Sequence, residues 1–470
     1  MNGFGNLNEF LTYRVYWLFF SIILLITTLL LYKRGIVSSA KERLALVSKR
    51  FKPAIYLPLS IAILCFVGLG YTIYYQNNIV DHYISAKEGE IQQVDYEKTY
   101  KPYSRLIQPR IVDTKVTLNL FPSKREYDAK VIFILKNKSS EPIDTIFLNH
   151  GENLKNVVMG HEAHEIRTDS LLMVKIYRLG KSLLPGDSLT IVSYLANEPN
   201  TFFKDKSPVV ANGTFFNNAI FPTIGYQDGY ELKNNVIRKR YGLGDRDRMA
   251  EPTDTAALQN TYLSNHADWI QFEATISTDA DQIALAPGYL MKEWTDKGLR
   301  YFQYKMEQKM LNFYAFMSGR YEVMRDKHND ISLEIYYHKD HTYNLNNMMK
   351  SMKNSLAYYE KEFSPYQFTQ MRIIEFPKSQ GTFAQAFANT VPFSEGIGFI
   401  AKVDDTNPNA IDYPYSVASH ELAHQWWAHQ VIGADVKGAT MLSESLAEYS
   451  SLKVLEHTYG KKQMRKFLKI

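Results

Sequence analysis

The sequence predicts an α+β multidomain protein: an N-terminal pair of transmembrane helices, a largely antiparallel β domain, and then an α/β domain. Three observations carry this expectation. Two long uncharged apolar runs stand near the start, period-two alternation runs through the middle, and helical spacing takes over in the last third. With 470 residues there is room for two or three domains, each with its own core. Aromatic residues make up 14% of the chain, including 33 tyrosines, which argues against long disordered tracts.

The first uncharged run, VYWLFFSIILLITTLLLY from Val15 to Tyr32, covers about 27 Å as a helix. The second, Pro53 to Tyr75, is longer, and both carry aromatic residues at their ends, as interfacial belts do. Neither has a polar face, so two buried helices of a soluble core do not fit. Between the runs, residues 33–52 hold Lys33, Arg34, Lys41, Arg43, Lys49, Arg50 and Lys52 against the single acid Glu42. This local excess of +6 leaves about −1 for the remainder of a chain of formal charge +5. Basic residues in short loops stay cytoplasmic, so the chain after about residue 76 is expected on the non-cytoplasmic side of a lipid bilayer. A competing reading takes the first run as a cleaved leader ending near Ser38-Ser39-Ala40, which leaves the main domain in the cytoplasm. Lys33 and Arg34 directly after the apolar run suit a stop-transfer flank better. No basic stripe remains for a folded nucleic-acid interface, so no nucleic-acid partner is expected.

The domain boundaries follow from the texture. Residues 1–80 form the membrane region, with spans at about 15–32 and 53–75, and 81–110 read as a juxtamembrane linker. Residues 111–325 form the β domain, in which Val116, Leu118 and Leu120 alternate with Thr117 and Asn119. Further strands are expected at Ala129 to Leu135, Ile143 to Leu148, Ser188 to Tyr194, Trp269 to Ile276 and Tyr301 to Tyr304. Residues 326–470 form the last domain. There Leu345, Met348, Met349, Met352, Leu356 and Tyr359 recur at helical spacing, a core stripe rather than a cofactor box. A short strand at Met371 to Phe376 precedes helices at Tyr415 to His429 and Met441 to Tyr459.

The one cysteine, Cys65, rules out an intrachain disulfide framework and a cysteine-based metal cluster. A metal must then be held by His, Asp or Glu. His420-Glu421-Leu422-Ala423-His424 matches H-E-x-x-H. Side chains four apart share a helix face, so both imidazoles reach one zinc ion, with Glu421 beside that face to take a proton from an activated water. A catalytic zinc keeps three protein ligands and one open position. Leu442-Ser443-Glu444-Ser445-Leu446-Ala447-Glu448-Tyr449 offers the third. Ser443 or Thr440 would cap a helix on which Glu444 and Glu448 share a face, while Gly433 and Gly438 turn the chain back. The bland alternative leaves Glu444 a surface carboxylate. His161 and His164, spaced three apart among strands, read as a solvated turn.

HELAHQWW followed by LSESLAEY resembles the aminopeptidase N and leukotriene A4 hydrolase family of gluzincins, the M1 peptidases. The likeness covers about residues 111 to 470. It implies a saddle-shaped β domain, an incomplete thermolysin-like catalytic domain, one Zn2+ per chain on His420, His424 and Glu444, and Glu421 as the catalytic base of a membrane-anchored aminopeptidase acting on peptides. Nineteen residues separate His424 from Glu444, one more than the family usually has, which the Gly433 to Gly438 loop absorbs. The family also grips the substrate's free amine with a glutamate on a G-x-M-E-N strand. Two registers compete here: Ser394 to Ile400 puts Glu395 at the acid position, where it otherwise reads as a turn carboxylate, and Gln385 to Asn389 puts Ala388 there. The family's transition-state tyrosine falls beyond Ile470, so the sequence reads as a piece of a longer enzyme. An inactive zinc- and peptide-binding protein, or a peptidase domain fused to a transporter-like permease, are the alternatives.

Overall fold

The computed structural model describes residues 7–32, 39–200, 202, 207–403 and 411–468. Expectations placed on Lys33, Arg34, Ser38 and Lys469-Ile470 lie outside these residues. Two compact units emerge, one mainly Phe4–Gly89 and the other built from Glu90–Pro199 with Ser207–Ile470.

In the first unit, α1 (Leu7–Leu31), α2 (Ala40–Arg50) and α3 (Pro53–Tyr74) follow one another, and α3 continues through a π turn, Tyr75–Val80. By length and composition α1, with 25 residues, and α3 with its π turn, with 28, suffice to cross a membrane. Tyr16 stacks on Phe66 with ring centroids 4.5 Å apart. The basic α2 begins at Ser39, whose hydroxyl accepts from the Glu42 amide at 3.3 Å, a side-chain cap on an otherwise unpaired donor. Its last residue, Arg50, donates to the carbonyls of Leu30 and Tyr32 at 2.8 and 3.0 Å. A cation thereby satisfies orphan carbonyls at the end of α1.

The second unit opens at Glu90, within α4 (Ala86–Tyr100), inside the segment expected as a linker. Its few apolar residues give no periodic signal, and tertiary partners hold it instead. Tyr96 stacks on Tyr226 at 5.2 Å, Tyr100 meets Phe147 edge-on at 5.5 Å, and Glu97 takes a two-pronged bond, 2.7 Å in each arm, from Arg238 on α5 (Asn235–Arg240).

A seven-stranded sheet follows, in spatial order Tyr289–Asp296, Leu299–Lys305, Ala267–Asp279, Arg110–Phe121, Glu126–Lys136, Ser188–Asn197 and Leu154–Met159. Every strand expected from alternation is present, and Val116, Leu118 and Leu120 are buried. One neighbour differs from the antiparallel expectation: Arg110–Phe121 pairs in parallel with Ala267–Asp279. Parallel neighbours need a long crossover, and alternation within a strand carries no information about the direction of a partner some 150 residues away.

A second sheet of four runs Tyr321–His328, Ile331–His338, Gln370–Phe376, Thr390–Ser394. Its first pair is antiparallel and the other two are parallel. Helix α6 (Leu345–Glu362) makes the crossover between Ile331–His338 and Gln370–Phe376, and buries all six residues of the expected stripe. Then come α7 (Tyr413–Ala423), a π turn Met441–Ser445, α8 (Leu446–Tyr459) and α9 (Lys461–Phe467).

Candidate metal centre

Helix α7 carries the H-E-x-x-H residues, and its sequence fixes where it starts and how it sits. Asp412 accepts from the Tyr415 amide at 3.1 Å, an N-cap reinforced by proline in the first turn. Along α6, Ser351, Ser355 and Tyr359 fall four apart on one face. Ser351 donates to the Tyr415 carbonyl at 2.6 Å, Ser355 to the Ser419 hydroxyl at 2.9 Å, and Tyr359 to the Ser419 carbonyl at 2.9 Å. These buried bonds set the rotation of α7 immediately before His420.

The helix ends earlier than expected. Regular α-helix stops at Ala423, with His424 as its cap, and residues 424–430 wind on as irregular turns. The side chain of Gln425 explains the break: it donates to the Phe387 carbonyl at 2.9 Å and accepts from the Asn389 amide at 3.0 Å. It thus holds the Gln385 to Asn389 segment beside the histidines. The chain then reverses where the glycines predicted it. A Cβ on Gly433 would stand 2.7 Å from the Ala439 carbonyl oxygen, and Gly438 has φ of +88°.

Past this reversal, Glu444 sits in the π turn, a backbone irregularity common at functional sites. No side chain caps the turn, contrary to the role expected of Ser443 or Thr440. Ser443 instead accepts from the Tyr262 hydroxyl at 2.8 Å.

His420, His424 and Glu444 come together. The two Nε2 atoms are 3.2 Å apart, and one Glu444 carboxylate oxygen lies 3.6 Å from the first and 3.7 Å from the second. A tetrahedral zinc with nitrogen ligands at about 2.05 Å has edges of roughly 3.3 Å, so this triangle has the dimensions of one face. The ring orientations agree. His424 Nδ1 meets the Trp427 carbonyl at 3.2 Å, which only accepts, so Nδ1 bears the hydrogen and Nε2 the lone pair. His420 Nδ1 lies 2.9 Å from Glu448, one turn beyond Glu444, which leaves its Nε2 equally committed to the triangle. The donor set fits a zinc ion.

Burial and the neighbouring carboxylates shift each of these groups. Burial alone would push His420 down, but the Glu444 and Glu448 carboxylates outweigh it and raise the ring to about 10. His424 is lowered, first by burial and then by the neighbouring His420 charge. Glu444 is lowered chiefly by its bond to His420. Glu421, 6% exposed, is pushed up to about 7 by burial, against the pull of His420 and with the repulsion of Glu444.

Glu421 and the triad line a cavity of about 180 Å³, walled on the far side by Tyr262, Leu263, Phe313, Ala384, Gln385 and Ala386. Tyr262, Leu263 and Phe313 carry no spacing signal of their own, whereas Gln385 opens the second of the two registers considered for the amine-gripping strand, and Glu448 shares a helix face with Glu444. Tyr262 arrives through pairing of the Gly433 loop with residues 260–262, including a 3.2 Å bond from the Tyr262 amide to the Gly433 carbonyl.

Glu395 is not among the lining residues. Its carboxylate accepts from the Lys378 amide at 3.1 Å and lies 3.9 Å from His341 Nδ1, which also contacts Glu375. Glu375 is fully buried, and burial pushes it up to about 7. Ala388 is itself fully buried. His164 lies in an exposed edge strand beside Glu162, as a solvated residue does.

No family model matches the chain, and no curated protein matches it. Among solved structures, it is similar to the crystal structure of an M1 zinc metallopeptidase from Deinococcus radiodurans. The identity is 16%, over 75% of this chain and 71% of that one, with a TM-score of 0.48. A single-substitution mutant of the same metallopeptidase aligns at 15% identity with the same coverage and TM-score.

Proposed function

We propose that this protein is a membrane-anchored zinc metallopeptidase, and more narrowly an aminopeptidase acting on peptides. The observation that carries the peptidase reading is the triangle of His420, His424 and Glu444 beside the buried carboxylate of Glu421 in one cavity. Zinc bound there supplies Lewis acidity, polarising a scissile carbonyl and making water a nucleophile near neutral pH. Glu421, raised to about 7, has the basicity to take the proton from that water and the acidity to hand it to the leaving amine. Glu448 and the Trp427 carbonyl hold the two imidazoles in the tautomer that ligation requires. The aminopeptidase reading rests on the sequence resemblance. Placement of the catalytic unit on the non-cytoplasmic side rests on the basic stretch between the two apolar helices.

The test is zinc content and hydrolysis in the purified full chain. About one zinc per chain is expected at this centre, lost in His420→Ala/His424→Ala together with peptidase activity. Unchanged zinc content in that variant would sink the assignment. For the exopeptidase reading, peptides with a free amine are turned over and their N-acetylated forms are poor substrates; equal turnover removes the amine requirement while leaving the zinc centre intact.

A further inference from the structure

We propose that the protein holds a second cation site, formed by His341, Glu375 and Glu395, for a divalent first-row transition-metal ion. It stands apart from the peptidase reading, since none of its residues lines the cavity of His420, His424 and Glu444.

Position is the first argument. Ile331–His338, Gln370–Phe376 and Thr390–Ser394 are consecutive parallel strands. His341 lies three residues past the end of the first, Glu375 next to the end of the second, and Glu395 one residue past the third. All three therefore gather at the carboxyl-terminal edge of a parallel sheet, the edge where open α/β sheets bind their ligands.

Geometry is the second. One ligand atom from each residue lies within 4.8 Å of the others. Both carboxylates are pre-set from outside the cluster by one oxygen each. The His338 amide donates to Glu375 at 2.7 Å, and the Lys378 amide donates to Glu395 at 3.1 Å. The remaining oxygens, Glu375 Oε1 and Glu395 Oε2, both face His341 Nδ1. Ligating carboxylates in metal sites are held this way, by a hydrogen bond to the oxygen that does not ligate.

Charge is the third. Glu375 is fully buried and the Glu395 side chain is 12% exposed. Among the described residues, His341 is the only basic side chain within ion-pair distance of either. Two largely buried carboxylates thus share one basic side chain. Beside the cluster, His338 keeps a buried Nε2 with no hydrogen-bond partner, its ring 5.9 Å from that of His341. One nitrogen with two carboxylate oxygens is a donor set for ions of the manganese-to-zinc series rather than for calcium.

The probe is Zn2+, counted per chain by elemental mass spectrometry after the full protein in detergent is loaded and dialysed. Wild type is expected to retain two, His420→Ala/His424→Ala one, Glu395→Gln one, and the triple variant none. Glu395 is the position to change because it is the one partly exposed ligand; circular dichroism confirms that each variant folds. In parallel, Zn2+ raises the melting temperature of His420→Ala/His424→Ala and leaves that of the triple variant unmoved. If Glu395→Gln removes no zinc from either background, the second site does not exist. If instead the His420→Ala/His424→Ala change removes none, the peptidase centre fails and the second site is judged on the Glu395 step alone.

Discussion

Glu448 is the residue by which the zinc reading is most sharply tested, because it touches the first ligand without ligating. Its carboxylate lies 2.9 Å from His420 Nδ1. A hydrogen bond to a charged group contributes about 1.5–3 kcal/mol, and the Glu448 side chain is 43% exposed, which places it in the lower half of that range. Removing such a partner weakens metal binding by about 10- to 100-fold, or about 1.4–2.8 kcal/mol. Glu448→Ala is therefore expected to raise the zinc Kd by about 10- to 30-fold. Glu448→Gln, which keeps an acceptor oxygen and loses the charge, is expected to fall between it and wild type. A competition titration against a chelator of known affinity, run at several pH values, reads both effects. In the metal-free wild type His420 is held up to about 10, so zinc must displace its proton at neutral pH. Wild-type affinity accordingly rises with pH up to about 10 and levels off at a lower pH in Glu448→Ala, whose His420 has lost one of the carboxylates raising it. A Kd for Glu448→Ala within twofold of wild type across the pH range would refute the orientation argument.

Glu421→Gln is expected to keep zinc and lose about 10²- to 10⁴-fold in kcat, measured by turnover and metal content on the same sample. Glu97→Ala leaves the buried Arg238 guanidinium without its two-pronged partner and should cost about 3–5 kcal/mol in urea unfolding. The Arg238 bond and charge outweigh burial and hold Glu97 below its ordinary value. Its contribution is therefore full above about pH 4.3 and is lost as acid protonates it, so the wild-type advantage over Glu97→Gln shrinks below that pH. Tyr359→Phe strands the Ser419 acceptor against α6 and should destabilise by about 1–2 kcal/mol. Thiol labelling of single-cysteine variants should show position 45 reachable only from the cytoplasm and position 181 only from the opposite side; the reverse pattern overturns the orientation.

Much of this arrangement is legible in the sequence because it is local. His420, Glu421 and His424 declare themselves by spacing on one helix, and Glu444 by its distance from them across a glycine-marked reversal. The strands containing Val116, Leu118 and Leu120, and the Leu345 to Tyr359 stripe, follow from burial on one face. What escapes is non-local. α4 is held by Tyr96, Glu97 and Tyr100 against residues over a hundred positions away in two of its contacts, so no window around it carries the signal. Glu395 looks like a substrate residue because of its neighbours in sequence, whereas its neighbours in space are Lys378, His341 and Glu375. The early end of α7 depends on a single side chain, Gln425, finding the backbone of another segment.

The Tyr262 to Ser443 bond joins residues 181 positions apart, and with Leu263 and Phe313 it gives the metal-centre cavity a wall that belongs to the β region. The cavity is therefore assembled from two distant stretches of the chain, with Ala384, Gln385 and Ala386 completing the wall from the stretch that carries the ligands. The two histidines lie at the end of α7 and Glu444 in the π turn before α8, while Tyr262, Leu263 and Phe313 come from far earlier in the chain. A fragment cut at residue 326 would carry every ligand and still present an open face where the cleft should be.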